Sequence, residues 1–213
     1  MTFLPSLDIM LAFTAASFVL IFTPGPDMTL FLGHTLTGGR ARGFAAMVGA
    51  FTGVMIHTLL AAFGLSALLA ASATAFTVVK FIGVGYLLWL ALDAIRHGSA
   101  LTLRSETGAP RSLAQVYLMG VGVNLLNPKI VMFFVTFLPQ FVSVTDPDAG
   151  AKMFFLGVYF NLLGLPACAA LILTAERFTA AIRRSPRLMR VIDYSFAGLM
   201  GAFAARLFFT RAN

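Results

Sequence analysis

The chain has 213 residues, of which 59% are hydrophobic and only 11% are charged, with a formal net charge of +7. About a quarter of the residues of an ordinary soluble domain are charged. The composition therefore excludes a soluble domain of this kind and predicts an integral membrane protein. No Gly-rich stretch ends in Gly-Lys-Ser or Gly-Lys-Thr, which excludes a P-loop for nucleotide hydrolysis. A lone cysteine, Cys168, excludes a disulfide or a dithiol pair within one chain.

Six apolar runs follow one another along the chain. Each is long enough to cross a hydrocarbon core about 30 Å thick, which takes roughly 20 helical residues. The first run lacks the basic flank and the cleavage site of a signal peptide, so we expect it to remain in the protein. The runs cover approximately Leu7 to Gly33, Gly43 to Ala71, Phe76 to Ile95, Leu113 to Val142, Ala151 to Thr174 and Leu188 to Phe209.

The first and fourth runs are interrupted by helix-breaking residues, TPGPD at 23–27 and NPK at 127–129. Proline ends a helix but suits the first turn of a new one. We therefore predict half-helices opened by Pro26 and Pro128, with Asn127 as the cap of the second. Each half-helix should present a partly positive N-terminus that attracts an anion.

Interrupted segments at corresponding positions of two halves indicate the binding site of a transporter. The sequence thus predicts an all-α integral membrane protein of six transmembrane helices, arranged as two inverted three-helix repeats with broken first and fourth helices. Residues 1–213 form a single transporter domain in this interpretation. Its halves, 1–97 and 112–213, are joined by a cytoplasmic loop at 98–111.

Basic residues are unevenly divided between the two sides of the predicted bundle. By the positive-inside rule, ten arginines in the odd loops against four basic residues opposite place these loops in the cytoplasm and both termini outside. We assign the basic charge to this topology and to anionic membrane lipids rather than to nucleic acid. The ten are Arg40, Arg42, Arg96, Arg104, Arg111, Arg177, Arg183, Arg184, Arg187 and Arg190.

Asp27 and Lys129 are charges inside predicted spans, where a charge at the centre costs about 2.5 kcal/mol or more. Together with the helix ends they could hold the ammonium and carboxylate of a zwitterion, and an amino acid is the simplest one. The alternative is that Asp27 only satisfies a helix start and Lys129 reaches the membrane surface. Straight spans entering from opposite faces would also place the two breaks at different depths.

Other polar residues in the spans are weaker candidates. His57 is either a proton relay or a helix-to-helix hydrogen bond. Asn124 shares a helix face with Asn127 and is either a substrate contact or a hydrogen-bond partner of the broken backbone. Asn161 is a possible secondary contact. Glycine pairs spaced for close helix packing, Gly39 with Gly43 and Gly49 with Gly53, indicate either packing within the chain or the seam of a homodimer.

Several of these segments resemble the LysE/RhtB family of amino-acid exporters. The resemblance lies in FTPGPDMTLFLGHTLTGGRARGFAAMVGAFTGVMIH, then KFIGVGYLLWLALDAIR, then NLLNPKIVMFFVTFLPQF, in the order and spacing of the family. It implies export of amino acids or close derivatives from the bacterial cytoplasm, coupled to the proton motive force. It points to Pro24, Gly25, Pro26, Asp27, Asn127, Pro128 and Lys129 as the binding segments.

The resulting hypothesis is a secondary exporter of the bacterial inner membrane, without a cofactor, whose site opens alternately to either side. Protonation of Asp27, with His57 as a second candidate, would compete with the substrate ammonium and give proton antiport. An exporter of a metal cation or another small ion is an alternative, although the spans lack clustered metal ligands. An intramembrane enzyme is another, although Cys168 has no histidine near it in sequence.

Overall fold

The structure, a computed structural model, describes residues 5–65, 73–97, 111–142 and 146–209. These residues are mostly helical, and no β-strand occurs among them, which confirms the all-α prediction for this part of the chain. A π-helical turn, Leu60–Leu65, continues α3, and π and 3-10 turns continue α6 to Phe141. The helices are α1 Leu7–Phe22, α2 Pro26–Gly38, α3 Arg40–Leu59, α4 Ala73–His97, α5 Leu113–Leu125, α6 Pro128–Met132, α7 Ala149–Leu173, α8 Ala175–Arg184 and α9 Pro186–Phe209.

The predicted runs correspond to single helices or to helix pairs. Two helices, Arg40–Gly64 and Ala149–Leu173, are each long and apolar enough to cross a membrane. Two further spans result if each bent pair counts as one, α1 with α2 and α5 with Pro128–Phe141. The third and sixth runs form α4 and α9, which do not pass this test over the described residues. The structure thus supports two to four spans, and six spans in two inverted repeats stay a prediction.

The two bends occur where the prolines stand. α1 and α2 meet at 52°, and α5 meets the segment after it at 50°. Pro26 and Pro128 each occupy the first position of the new helix, where the missing N–H of proline has no intrahelical partner to lose. The prediction of broken first and fourth helices, opened by these prolines, is confirmed.

α3 lies at the centre of the bundle and packs against α2, α5 and α7. An added Cβ at Gly49 would lie 2.1 Å from the Tyr117 carbonyl oxygen, and one at Gly120 would lie 2.2 Å from that of Ala46. Only glycine allows α3 and α5 to approach this closely. Gly49, one of the glycine pair that the sequence singled out at Gly49 and Gly53, therefore serves packing within the chain.

α4 and α9 pack against each other, and an aromatic cluster joins α9 to the rest of the bundle. Phe137, in the turn that continues α6, contacts Phe203 of α9 at a ring distance of 4.0 Å. Phe13 of α1 meets Phe141 edge-on at 5.2 Å. These contacts fix the segment after the second break, and with it the position of the break. The predicted connecting loop at 98–111 lies outside the described residues, apart from Arg111.

Candidate functional site

The first break spans the residues between α1 and α2. α1 ends at Phe22, Thr23 and Gly25 are extended, and α2 begins at Pro26. Gly25 occupies the capping position, so no side chain caps the N-terminus of α2. The first N–H groups of a helix have no intrahelical partner. The N-terminus of α2 therefore has no side-chain cap from its N-cap residue, with Asp27 in the first turn, and its attraction for an anion stays a prediction.

The second break is shorter and carries its own cap. α5 ends at Leu125, and the Asn127 side-chain oxygen accepts a hydrogen bond from the Lys129 N–H at 3.1 Å. The Asn127 carbonyl accepts from the Ile130 and Val131 N–H groups, both at 3.0 Å. The predicted cap is confirmed. The N-terminus of α6 is thus capped by Asn127, and its attraction for an anion stays a prediction.

Asp27 accepts two hydrogen bonds from the second break. The side-chain amide nitrogens of Asn124 and Asn127 donate to the same oxygen, Oδ2, at 2.8 and 2.9 Å. The other oxygen, Oδ1, has no hydrogen-bond partner among the described residues, although it is shielded from solvent. The two asparagines are buried, with 1% of their surface exposed. They hold the carboxylate in one orientation and leave one oxygen for a further donor.

Lys129 reaches across in the opposite direction, to the end of α1. Its Nζ donates to the carbonyl oxygens of Thr23 at 2.8 Å and of Leu20 at 3.3 Å. An ammonium carries three donors, so one remains after these two bonds. A cation is also favourable at the C-terminal end of a helix. Lys129 is therefore the cap of α1, and it runs so close to Gly25 that an added Cβ there would lie 3.0 Å from Nζ.

The two breaks thus meet in space, although straight spans would separate them in depth. The contacts from Asn124 and Asn127 to Asp27, and from Lys129 to Thr23, all cross from one half of the chain to the other. The bends of 52° and 50° allow this. Within the described residues no hydrogen bond joins Asp27 to Lys129. Each side chain instead bonds to groups of the opposite break.

A pocket lies beside the two breaks, with about 470 Å³ of empty space including its mouth. Ligand sites typically have apolar walls and a few placed polar groups. Its polar lining comes from Thr23, Asp27, Asn124 and Lys129. Its apolar wall comes from α1, α2, α3, α6 and α7 and includes Leu20, Met28, Phe31, Phe51, Val54, Ile130 and Phe160.

The remaining candidates do not line this pocket. His57 is buried against Phe134, with ring centres 5.8 Å apart, and its Nε2 has no partner among the described residues. Asn161 donates to the Gly157 carbonyl of its own helix at 3.1 Å. The residues Pro24, Gly25, Pro26 and Pro128 shape the breaks rather than the wall. In the described ranges, no three side chains of His, Cys, Asp or Glu form a cluster suited to a metal ion.

Sequence reasoning missed three parts of the site. The backbone carbonyls of Leu20 and Thr23 have no sequence signature. The phenylalanines of the pocket wall cannot be told apart from the other members of a set of 22. The sequence predicted for Gly53, whose neighbour is Asn124, a role in packing or in a dimer seam, and nothing in its spacing distinguishes it from Gly49.

Comparison with known protein families identifies one family that matches this chain. The profile of LysE type translocators matches residues 18–211, which is nearly the whole chain. The chain belongs to the LysE type translocator family. It is therefore a transporter and not an enzyme, which confirms the family resemblance and excludes the intramembrane enzyme.

Individual relatives of this LysE type translocator are leucine efflux proteins. Those of Salmonella typhimurium (strain LT2), Salmonella paratyphi A (strain ATCC 9150) and Salmonella typhi are each 28% identical to it over 188 residues. The match covers 88% of this chain and 89% of each relative. No solved structure matches it significantly. Membership of this family and the apolar helices together indicate a multi-pass membrane protein.

Proposed function

We propose that this protein exports neutral amino acids with apolar side chains from the bacterial cytoplasm, and that they bind in the pocket at the two helix breaks. The observation that carries the proposal is the juxtaposition of one unpartnered Asp27 oxygen, a Lys129 ammonium with a donor to spare and an apolar wall. The leucine efflux proteins among its relatives support the same substrate class.

The polar end of the pocket suits the two charges of an amino acid. Asp27 Oδ1 is the acceptor for the substrate ammonium, because Oδ2 is already used by two amides. The substrate carboxylate goes to the third donor of Lys129 and to the uncapped first turn of α2. Hydrogen bonds between ionised partners are the strong ones, so this pair of contacts selects a zwitterion over an ion of single sign.

The apolar wall selects the side chain. Each methylene removed from water is worth about 0.8 kcal/mol, so the phenylalanines and Met28 favour a branched aliphatic side chain over that of alanine. Among the residues that the structure describes, no charged side chain other than Asp27 and Lys129 lines the pocket. A basic or acidic substrate side chain would therefore lie against the apolar wall without a described partner. We expect leucine and its isomers to be preferred.

Proton antiport follows if a proton and the substrate ammonium compete for Asp27, with His57 as a second proton carrier. The site would then open alternately to the two sides as halves 1–97 and 112–213 of one domain rock against each other. In this scheme six spans cross the inner membrane, the odd loops are cytoplasmic and both termini are outside. The nearly equal bends at equivalent places of the two halves support the inverted repeat.

The test is leucine efflux from bacteria that lack their own leucine exporters. Cells are loaded with a leucine-containing dipeptide, and we expect release of leucine to be faster with this protein than without it. Asp27→Asn should lower the rate by about tenfold or more, because a hydrogen bond to a charged group is worth about 1.5–3 kcal/mol. Asp8→Asn, which changes an exposed aspartate in the first turn of α1, is the control and should behave as wild type.

The outcomes separate transport from coupling. Absence of efflux for every neutral amino acid tested would contradict the proposed function. Full activity of Asp27→Asn would contradict competition between proton and ammonium, but not amino-acid export. A preference for lysine or glutamate over leucine would show that the apolar wall does not choose the side chain.

A further inference from the structure

We infer that Gly53 is a positioning residue of the site: the absence of a side chain there seats Asn124 so that its amide fixes the Asp27 carboxylate. The inference rests on the proposed function, since the carboxylate matters as the seat of the substrate ammonium. Gly53 lies in α3 and does not line the pocket. It acts only through Asn124 of α5.

The space beside Gly53 is filled by the side chain of Asn124. An added Cβ at Gly53 would lie 2.6 Å from Asn124 Oδ1, 2.8 Å from Cβ and 3.0 Å from Cγ. Contacts below 3.0 Å are essentially never made by real Cβ atoms. Rotation about χ1 moves the amide but cannot move Cβ of Asn124, which is fixed to the backbone of α5. A methyl group at position 53 must therefore displace the whole residue.

Displacement of Asn124 reaches Asp27 directly. The bond from Asn124 Nδ2 to Asp27 Oδ2 is 2.8 Å long, and hydrogen bonds weaken steeply beyond their short optimal range. Asn127 alone would then hold Oδ2, and the carboxylate could turn. Glycine at position 53 thus leaves Oδ1 as the atom that faces a ligand.

Gly49 lies one turn earlier on the same face of α3, and its surroundings show that the contact of Gly53 with Asn124 differs from ordinary helix packing. A Cβ at Gly49 would meet backbone atoms, the carbonyl oxygen and carbon of Tyr117 at 2.1 and 2.9 Å. Gly49 sets the distance between α3 and α5, whereas Gly53 makes room for one polar side chain. The two glycines therefore provide a matched pair of variants in one helix.

The experiment is a mutant cycle of Gly53→Ala, Asn124→Gly and the double variant, purified and reconstituted in liposomes. Leucine counterflow gives the half-saturating concentration and the maximal rate, and thermal unfolding gives stability. We expect Gly53→Ala to raise the half-saturating concentration about tenfold and Asn124→Gly to raise it similarly. The double variant should equal Asn124→Gly alone, since the clash is removed together with the side chain. Gly49→Ala should lower the melting temperature and leave the half-saturating concentration of its folded fraction unchanged.

Each outcome decides the matter. If the effects of Gly53→Ala and Asn124→Gly multiply in the double variant, the two residues act independently and the inference is overturned. If Gly53→Ala does not fold, the double variant should still fold; failure of both would make Gly53 a packing residue only. Unfolding needs no substrate, so coupled melting temperatures in a protein that transports no amino acid would count against the proposed function and leave the steric link in place.

Discussion

At the first break no side chain caps the new helix, because glycine stands at the capping position, whereas at the second break Asn127 caps its own helix. The bends differ by only 2°, 52° against 50°. The first break offers acceptors, namely the Asp27 carboxylate and the carbonyls that α1 leaves open. The second break supplies the donors for them, from Asn124, Asn127 and Lys129.

Unwound chain persists inside this bundle because the two breaks carry complementary groups. Backbone groups at membrane depth need partners from the protein itself, and here one half of the chain satisfies the other. Neither break is complete alone. The polar groups around Asp27 and Lys129 therefore come from both halves of the chain.

The largest effect is expected when the Lys129 ammonium, which the second break supplies to the end of α1, is removed. Lys129→Met leaves the Leu20 and Thr23 carbonyls without their donor, and each buried polar group without a partner costs about 1–3 kcal/mol. We expect a lower melting temperature in detergent and leucine efflux reduced by about tenfold or more. Lys152→Met, on α7 and bonded to Asp146 outside the site, is the matched control. Wild-type efflux in Lys129→Met would show that the cap of α1 is dispensable.

A variant of intermediate effect separates the two tasks of Asn127. Asn127→Ala removes both the cap of α6 and one donor to Asp27, whereas Asn127→Ser keeps an oxygen for the cap but has no amide. Loss of a cap costs about 0.5–2 kcal/mol. We expect serine to restore the melting temperature that alanine loses, while both raise the half-saturating concentration for leucine roughly two- to tenfold.

The control for this pair is Asn161→Ala, which removes an amide that bonds only within α7. It should leave the half-saturating concentration unchanged. If serine restored transport as fully as stability, the amide of Asn127 would have no role at Asp27, and the second break would matter for its fold alone.

The position of both breaks could be predicted from the sequence, because proline acts through local geometry. Pro26 and Pro128 begin the new helices where expected, and Asn127 caps α6 as predicted from its position directly before Pro128. The partners across the site could not be predicted. Lys129 bonds backbone carbonyls, which every residue possesses, and the meeting of the breaks depends on how far each helix bends. Asp27 and Lys129 could be identified from the sequence because charged residues are rare in spans. The phenylalanines of the apolar wall could not be identified, because phenylalanine is common in this chain.

The smallest effect is expected at the ion pair between Asp146, just before α7, and Lys152 in the first turns of α7, outside both breaks. Hydrogen bonds from Lys152 and from the Asp148 backbone N–H hold the pKa of Asp146 below its ordinary value of 3.8. A depressed folded-state pKa stabilises the fold above the unfolded-state value, and the contribution is lost as the pH falls through the folded-state value. Asp146→Asn should therefore lower the melting temperature slightly at neutral pH, and the difference from wild type should vanish in acid. A difference that persisted far below pH 3.8 would assign the effect to packing, whereas at the breaks even one lost donor is expected to alter transport.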